Sequence, residues 1–239
     1  MSDLTNKSAL ITGGSKGIGC GIAAKLIKKG VNTMITGRDQ DSLDYAIKEL
    51  NELGPGQCIS YCGDVRVLQD LVDSVEKLKA KWGKVDIVIA NAGVGHFASI
   101  EDLTSNQWNE VIDINLTGVF NTIKASVDSL KESKGYFFTI ASLAGTNFFA
   151  KGSAYNASKF GLVGFTQAVM LDLRKYGIKV STIMPGSVST YFNNNEPDQS
   201  DAWKIQPGDI GDIVVGLLEL HPRTLPSKVE VRPSIPPGV

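Results

Sequence analysis

Short runs of β-branched and aromatic residues alternate with longer stretches of helical pattern along this chain of 239 residues. The runs that read as strands are Lys7–Thr12, Asn32–Thr36, Ile59–Cys62, Val85–Ala90, Tyr136–Ala141, Lys179–Met184 and Lys228–Val231. Strands that alternate with helices predict a doubly wound α/β fold, with a mostly parallel seven-stranded sheet and helices on both faces. No linker, charge block or repeat interrupts the alternation, so we expect residues 1–239 to form one domain.

Composition and charge narrow the classes of function. Hydrophobic residues make up 42% of the chain, which is enough for a large core, and 24 Lys and Arg balance 25 Asp and Glu. This balance argues against nucleic-acid binding, which needs an excess of positive charge. The polar, acidic N-terminus does not resemble a secretory signal, and no run approaches the ~18 apolar residues of a membrane span. We therefore expect a soluble, cytoplasmic protein without a membrane partner.

Cysteine and histidine are too few for a metal centre or a disulfide framework. The three cysteines are Cys20, Cys58 and Cys62, and their spacing fits neither a disulfide scaffold nor a zinc site. The two histidines are His96 and His221. We expect reduced structural thiols and no bound metal.

Glycines and polar residues follow six of the predicted strands directly. In chain order these are Gly13, Gly14, Gly17 and Gly19, then Gly37-Arg38, Asp64, Asn91-Ala92-Gly93, Ser142 and Pro185-Gly186. Ligands of open α/β sheets bind outside the carboxyl ends of the strands, so one ligand site is expected at this edge. The irregular segment Thr190–Pro207 is a candidate lid over it.

The turn Thr12–Gly19 joins the first strand to a helix and predicts a phosphate site. Glycines permit the close approach of backbone to ligand, and the free N–H groups at the helix start attract an anion. A plain strand-to-helix turn would need fewer glycines. A P-loop NTPase is disfavoured because Cys20-Gly21 stands where the Lys-Ser/Thr pair would follow.

Arg38 after the second strand favours NADP over NAD. An acid there would bind the ribose 2′-hydroxyl of NAD, whereas an Arg accommodates a 2′-phosphate. Arg38 and Lys16 together could bind that phosphate. Asp39 leaves NAD open as a cofactor, because it could pair with Arg38 or bind an NAD ribose.

Tyr155 and Lys159 lie four residues apart in a predicted helix, Ser153–Lys175, so both face the same side. A nearby ammonium favours the phenolate and would lower the pKa of Tyr155 toward the working pH of a general acid/base. Ser142, at the end of the fifth strand, could hydrogen-bond a substrate carbonyl from the same edge.

Asn115 interrupts the apolar stripe of a predicted helix, Thr104–Lys131, where a buried amide needs partners.

Together these motifs resemble the short-chain dehydrogenase/reductase family in its single-domain, Rossmann-like form. The resemblance covers Lys7 to Val231 and rests on the TGxxxGIG turn, the Asn-Ala-Gly motif and the tetrad Asn115, Ser142, Tyr155 and Lys159. It implies that Asp64 contacts adenine, Lys159 also binds the nicotinamide ribose, Asn115 anchors a relay water, and Thr190 contacts the carboxamide. The implied NADP(H) contacts are Gly13, Ser15, Lys16, Gly17, Ile18, Gly19, Arg38, Asp64, Val65, Asn91, Ala92, Gly93, Tyr155, Lys159, Pro185, Gly186, Val188 and Thr190.

The resemblance implies hydride transfer between a nicotinamide and a small carbonyl compound or secondary alcohol, with Tyr155 as proton donor or acceptor. The chain ends without the DGG turn of oxoacyl-carrier-protein reductases, which makes that substrate a weaker alternative. Five aromatic residues suggest an apolar or aromatic substrate, or else belong to the core: Phe97, Phe148, Phe149, Tyr191 and Phe192. The motifs also leave open a non-catalytic NADP-binding regulator and an isomerase that recycles its nicotinamide.

The resemblance also implies a homodimer or homotetramer. The predicted helix Ser153–Lys175 is apolar almost all round and carries Gly161 and Gly164, which permit close helix approach. By resemblance it would pair against a second subunit together with the helix Thr104–Lys131. Burial within one chain is the alternative.

Overall fold

The computed structural model describes residues 3–236, so the domain predicted for residues 1–239 extends beyond it at both ends. Seven strands form within this range at the predicted places. They are β1 Ser8–Thr12, β2 Asn32–Gly37, β3 Cys58–Cys62, β4 Ile87–Ala90, β5 Tyr136–Ile140, β6 Lys179–Pro185 and β7 Lys228–Val231. The largest difference is at β4, where the predicted start, Val85, lies two residues before Ile87.

All seven strands belong to one parallel sheet in the order β3-β2-β1-β4-β5-β6-β7. The order runs outward in both directions from the β1–β4 pair, as in a doubly wound α/β fold. Because the strands are parallel, their carboxyl ends share one edge. The predicted fold class is therefore confirmed, and the residues after each strand lie along that edge.

Helices connect the strands. Their bounds are α1 Gly17–Lys28, α2 Gln40–Asn51, α3 Leu68–Trp82, α4 Ser105–Ile112, α5 Gly118–Ser133, α6 Ser153–Leu173 and α7 Pro207–Glu219. The helix predicted over Thr104–Lys131 is present over Ser105–Ser133, but a π-helical turn, Asp113–Thr117, lies inside it between α4 and α5. Such a turn inserts a residue into the helical ladder, and a count of apolar spacing does not reveal it. The helix predicted to Lys175 ends at Leu173 and continues as a 3₁₀ turn, Arg174–Tyr176.

Two apolar layers cover the two faces of the sheet. One contains buried residues of α1, α2 and α7, and the other contains buried residues of α3, α5 and α6. Neighbouring strand residues point to opposite layers, as Phe137 and Phe138 do, and both are fully buried. A sheet buried on both faces explains why its strands are nearly continuous apolar runs.

The predicted lid follows β6 and contains two short 3₁₀ turns, Phe192–Asn194 and Gln199–Trp203. A parallel bridge between Val188 and Ile205 closes its base. The lid therefore begins and ends at the edge where the strands end. No helix in residues 3–236 has the length and apolar character needed to cross a membrane.

Candidate active site

The glycine turn after β1 leads directly into α1. Gly17 opens the helix with a φ of +59°, in the left-handed region that glycine adopts without strain. Lys16 precedes it and provides no side-chain cap for the first helical turn. The N–H groups of that turn are therefore suited to bind an anion from a ligand.

Asn91 fixes the end of β4 against this turn. Its Nδ2 donates to the carbonyls of Thr12 (2.9 Å) and Gly13 (3.0 Å). The Thr12 hydroxyl in return accepts from the main-chain N–H groups of Asn91 (3.0 Å) and Ala92 (3.1 Å). A Cβ on Gly19 would lie 2.6 Å from Asn91 Nδ2, so only glycine allows α1 to approach so closely. The two motifs thus form one rigid unit.

Lys16 and Arg38 are both exposed beside this turn. Neither forms an ion pair with any residue in the described range. The Lys16 ammonium lies 5.9 Å from the centre of the Tyr191 ring. Asp39, the candidate ligand of an NAD ribose, instead caps α2 by accepting from Ser42 N (2.8 Å), a bond that lowers its pKa. Two unpaired cations therefore flank the turn.

The edge after β3 contains Asp64, which the resemblance assigns to adenine, and Val65, which it gives as a cofactor contact. The Asp64 carboxylate is held by Arg66, with Nε at 2.9 Å and 3.0 Å from its two oxygens, and this bonding lowers its pKa. Asn121 was not predicted from sequence. Its buried Nδ2 donates to the carbonyls of Val65 (3.0 Å) and Arg66 (3.2 Å) and orients this loop from α5. A polar residue on the buried side of a helix was the available signal.

Ser142, Tyr155 and Lys159 meet where β5 ends against α6. The side chains of Ser142 and Tyr155 lie side by side and line one cavity, and Ser142 Oγ accepts from Ala144 N at 3.1 Å. The buried Lys159 ammonium donates to the carbonyl of Ile140 at 3.0 Å and lies 5.6 Å from the centre of the Tyr155 ring. The predicted one-sided placement of Tyr155 and Lys159 is therefore observed.

The expected direction of the Tyr155 pKa shift is wrong for the protein alone. Burial raises the pKa of Tyr155, and the adjacent Ser142 hydroxyl only partly opposes this effect. Burial also lowers the pKa of Lys159 to about 8, because a buried ammonium loses its hydration. Spacing in a helix identifies which groups are close, but burial decides the direction of both shifts.

Asn115 lies in the π-helical turn and is fully buried. Its Oδ1 accepts from Val94 N at 2.8 Å, and its Nδ2 donates to Val94 O at 2.9 Å and to Ser158 Oγ at 3.0 Å. Both side-chain N–H bonds are thus used within the protein. A relay water, the role implied by resemblance, would need the main-chain carbonyl or the remaining lone pair of Oδ1.

Gly93 lies between Asn115 of the π-helical turn and Lys159 of α6. A Cβ there would be 3.3 Å from Asn115 Oδ1 and 3.7 Å from Lys159 Nζ. The Asn-Ala-Gly motif, the π-helical turn and α6 therefore meet at one point. All four members of the predicted tetrad lie in this part of the sheet edge.

The turn after β6 brings the lid over the glycine turn. Gly186 N donates to Val231 O at 2.7 Å, which ties the Pro185-Gly186 turn to β7. Thr190 lies against the glycine turn, since a Cβ on Gly17 would be 3.4 Å from its Cγ2. Ser15, Ile18 and Val188 are partly buried, Ser15 and Ile18 in the glycine turn and Val188 at the base of the lid.

Two phenylalanines pack against the ring of Tyr155, and a third packs on one of them. The centres of the Phe97 and Phe192 rings lie 5.5 Å and 5.6 Å from that of Tyr155, and Phe149 lies 5.8 Å from Phe97. Phe148 is 87% exposed, and Tyr191 lies beside Lys16 instead. None of the five aromatic residues is buried in the core, so the hypothesis that they belong to the core is wrong.

Asn156, beside Tyr155, is a second residue that sequence reasoning missed. Its Nδ2 donates to the carbonyls of Ala144 and Asn147, both at 2.8 Å. It therefore orders the loop after β5 that carries Ser142 and Phe149. Its position between Tyr155 and Lys159 was the signal, but the partners are distant in sequence.

Metal ligation has no support in this site. Within residues 3–236 no group of three His, Cys, Asp or Glu side chains could hold an ion. The arrangement instead offers a hydroxyl and a phenol beside a buried ammonium, next to a turn suited to phosphate. Such groups bind a polar oxygen and transfer a proton to or from it.

Comparison with known proteins identifies the family. A 32% identical relative, an uncharacterized oxidoreductase of Staphylococcus saprophyticus, aligns with 98% of this chain and 100% of its own length. D-beta-hydroxybutyrate dehydrogenase of Cupriavidus necator is 35% identical over 78% of this chain and 72% of its own. The structure of an alcohol dehydrogenase from the archaeon Thermococcus sibiricus, complexed with 5-hydroxy-NADP, superposes with a TM-score of 0.90 at 28% identity, covering 98% of this chain and 99% of that one.

The family model described as short chain dehydrogenase matches residues 7–201, which include the glycine turn and all four members of the tetrad. The match spans most of the chain and agrees with the fold and with the oxidoreductase relatives. The chain therefore belongs to the short-chain dehydrogenase/reductase family of oxidoreductases.

Proposed function

We propose that the protein is an NADP(H)-dependent oxidoreductase that reduces a small carbonyl compound to a secondary alcohol, or catalyses the reverse reaction. The observation that carries this proposal is the placement of the Ser142 hydroxyl and the Tyr155 phenol in one cavity beside the buried Lys159. Two hydroxyl groups that converge at the carboxyl end of β5 can bind one substrate oxygen between them. That oxygen is the atom that gains or loses a proton in this reaction.

The residues around the glycine turn fit a nicotinamide dinucleotide phosphate. The first turn of α1 would bind the pyrophosphate, and the unpaired Lys16 and Arg38 would bind the 2′-phosphate. Asp39 is engaged as a helix cap, which weakens the case for an NAD ribose. The 5-hydroxy-NADP of the archaeal alcohol dehydrogenase agrees with this choice.

When bound, the nicotinamide supplies the hydride to the substrate carbon or accepts it from there. Ser142 and Tyr155 hydrogen-bond the substrate oxygen, and Tyr155 donates a proton to it as the oxygen gains charge. The raised pKa of Tyr155 keeps the phenol protonated at neutral pH, which suits the reducing direction. In the oxidising direction Tyr155 must first lose that proton, so alkaline conditions should favour oxidation.

Lys159 and Asn115 support this step from behind Tyr155. The Lys159 ammonium lies close enough to the Tyr155 ring to stabilise negative charge on its oxygen. Asn115 fixes Val94 and Ser158 and thereby the junction between β4 and α6. We assign Asn115 a positioning role in addition to any contact with a relay water.

The aromatic rings around Tyr155 favour a substrate with an apolar or aromatic body. Phe97 and Phe192 pack against the Tyr155 ring and against each other and would exclude water from the reacting carbonyl. The name of one relative, D-beta-hydroxybutyrate dehydrogenase, refers to a substrate that is a secondary alcohol, which agrees with the proposed reaction. An oxoacyl-carrier-protein substrate remains the weaker alternative.

We also propose that the chain works as one catalytic domain in a homodimer or homotetramer. Large apolar side chains are exposed on the outer helices, including Trp108 on α4, Phe120 on α5, and Phe160 and Leu171 on α6. Exposed apolar side chains on three helices favour burial against a second copy. Size-exclusion chromatography with light scattering tests it, and a clean monomer would refute it. The cytoplasmic location stays a prediction.

The decisive experiment measures nicotinamide absorbance with a panel of carbonyl compounds, using NADPH and NADH in parallel. We expect net NADPH oxidation, with Tyr155→Phe retaining NADPH binding and losing about 1000-fold in turnover. A regulatory protein would bind NADPH without turnover, and an isomerase would convert its substrate without net oxidation. Unchanged turnover in Tyr155→Phe would exclude the assigned role of this residue.

A further inference from the structure

A cavity of about 570 Å³ opens beside Ser142 and Tyr155, and no residue of the glycine turn lines it. Besides Tyr155 of α6, four separate segments form its wall. The loop after β5 contributes Leu143 and Phe149, and the turn after β6 contributes Gly186 and Ser187. The lid contributes Trp203, and the chain after β7 contributes Arg232 and Pro233. This cavity is where the body of a substrate would lie if its oxygen is held by Ser142 and Tyr155.

The backbone holds Arg232 at this position. Pro185 of β6 pairs with Val231 of β7, and Gly186 N donates to Val231 O at 2.7 Å. A Cβ on Gly186 would lie 3.2 Å from Pro233 Cδ, so the chain after β7 packs closely on the turn after β6. Arg232 therefore follows the last paired residue of β7, at the same sheet edge as Ser142.

Arg232 is the only basic side chain that lines the cavity in residues 3–236, and no carboxylate lines it. Its Nη2 donates to Glu230 Oε2 at 3.1 Å, a contact between two exposed side chains. A guanidinium has five N–H donors in a planar fork, so this one contact leaves donors for a second anion. The remaining wall is mostly apolar.

We propose that Arg232 binds a carboxylate of the substrate, so that the protein acts on oxo acids or hydroxy acids with an apolar or aromatic body. This inference rests on the proposed function and specifies its substrate class. A guanidinium binds a carboxylate through two parallel hydrogen bonds, which fixes the orientation as well as the position of the substrate. The carbonyl then lies toward Ser142 and Tyr155, and the body contacts Phe149 and Trp203.

The test compares benzoylformate and 3-benzoylpropionate with their methyl esters, in the wild type and in Arg232→Gln. Each ester keeps the ketone and the aromatic body but lacks the charge. We expect Arg232→Gln to lower kcat/KM for at least one acid by about 5- to 20-fold, a range set by the partial exposure of the guanidinium. The values for the esters should change by less than about twofold.

Two further variants separate the charge of Arg232 from general effects. Arg223→Gln removes an exposed Arg that contacts His221 outside the cavity and should leave all four substrates unaffected. Glu230→Gln removes the competing carboxylate and should raise kcat/KM for the acids. Equal effects of Arg232→Gln on acids and esters would overturn the inference while leaving the proposed function intact.

Binding without turnover gives an independent measurement. Trp203 lines the cavity, so the quenching of tryptophan fluorescence by each acid should report binding in the wild type and weaker binding in Arg232→Gln. Charge-dependent binding with no NADPH oxidation would support the role of Arg232 and contradict the proposed function. Equal binding of the acids to both proteins would overturn the inference.

Discussion

The side chain of Asn115 binds both main-chain groups of Val94. Its Oδ1 accepts from Val94 N at 2.8 Å, and its Nδ2 donates to Val94 O at 2.9 Å. The π-helical turn Asp113–Thr117 carries Asn115 and joins α4 to α5. The same carboxamide reaches Ser158 on α6 at 3.0 Å. One buried side chain thus connects the strand edge to two helices and locates the loop after β4.

Replacing Asn115 by Ala should therefore lower the free energy of unfolding by about 3 kcal/mol, because two half-buried main-chain groups of Val94 and the buried Ser158 hydroxyl lose their partner. Urea unfolding measures this loss. Asn109→Ala, at an exposed position of α4, is the matched control and should change stability by less than about 0.5 kcal/mol. A loss below about 1 kcal/mol for Asn115→Ala would show that these bonds are readily replaced by water.

The preference for NADPH should depend on Arg38. Arg38→Leu should lower kcat/KM for NADPH by about 10- to 100-fold, since a charged hydrogen bond to phosphate is lost. The value for NADH, which lacks the 2′-phosphate, should change little. Arg174→Leu is the control, because Arg174 is exposed and precedes β6 at the opposite edge of the sheet. Equal losses for NADPH and NADH would place the 2′-phosphate elsewhere.

The sequence predicts the sheet and the tetrad well because both follow from local patterns. Apolar β-branched runs mark strands buried on both faces, and parallel pairing then brings Ser142 and the Asn-Ala-Gly motif to one edge. The spacing of Tyr155 and Lys159 fixes their common side of α6. These inferences need no knowledge of distant contacts.

What the sequence does not predict depends on contacts between distant segments. Asn121 and Asn156 hold loops whose carbonyls lie elsewhere in the chain, so their own positions carry little information. The Tyr155 pKa follows burial, which spacing cannot measure. Arg232 reaches the cavity only because β7 pairs beside β6.

Asp201 should control the lid. Its buried carboxylate accepts from Ser189 Oγ at 3.2 Å and from Asn195 Nδ2 at 3.4 Å, and it pairs with Lys204. Asp201→Ala should loosen the lid, which carries Phe192 beside Tyr155, and so raise KM and speed proteolysis between residues 190 and 207.

Asp198→Ala is the control for this variant, because Asp198 is exposed and bonds only locally with Ser200. It should leave KM unchanged. The bond with Lys204 lowers the pKa of Asp201. The stabilisation of the lid by the Asp201 carboxylate is therefore present above the ordinary pKa of an aspartate and is lost as the pH falls through the lowered pKa. Equal proteolysis of the two variants would show that the bonds of Asp201 do not hold the lid in place.

Lys159 should carry its catalytic charge at a cost in stability. Burial lowers its pKa from 10.5 to about 8, which corresponds to about 3 kcal/mol against the buried ammonium at neutral pH. Lys159→Met removes this cost but leaves the Ile140 carbonyl unpaired, a loss of about 1 kcal/mol. The variant should be inactive and yet more stable than the wild type by about 2 kcal/mol at pH 7.

The pH dependence of that difference tests its cause. Between about pH 8 and 10.5 the unfolded wild type holds a proton on Lys159 that the folded protein has lost, so wild-type stability rises with pH relative to the variant. Urea unfolding at pH 7 and pH 9.5 should show the advantage of Lys159→Met falling from about 2 kcal/mol to about zero. An advantage that stays constant over this range would mean that packing of the apolar Met side chain, and not removal of a buried charge, stabilises the variant.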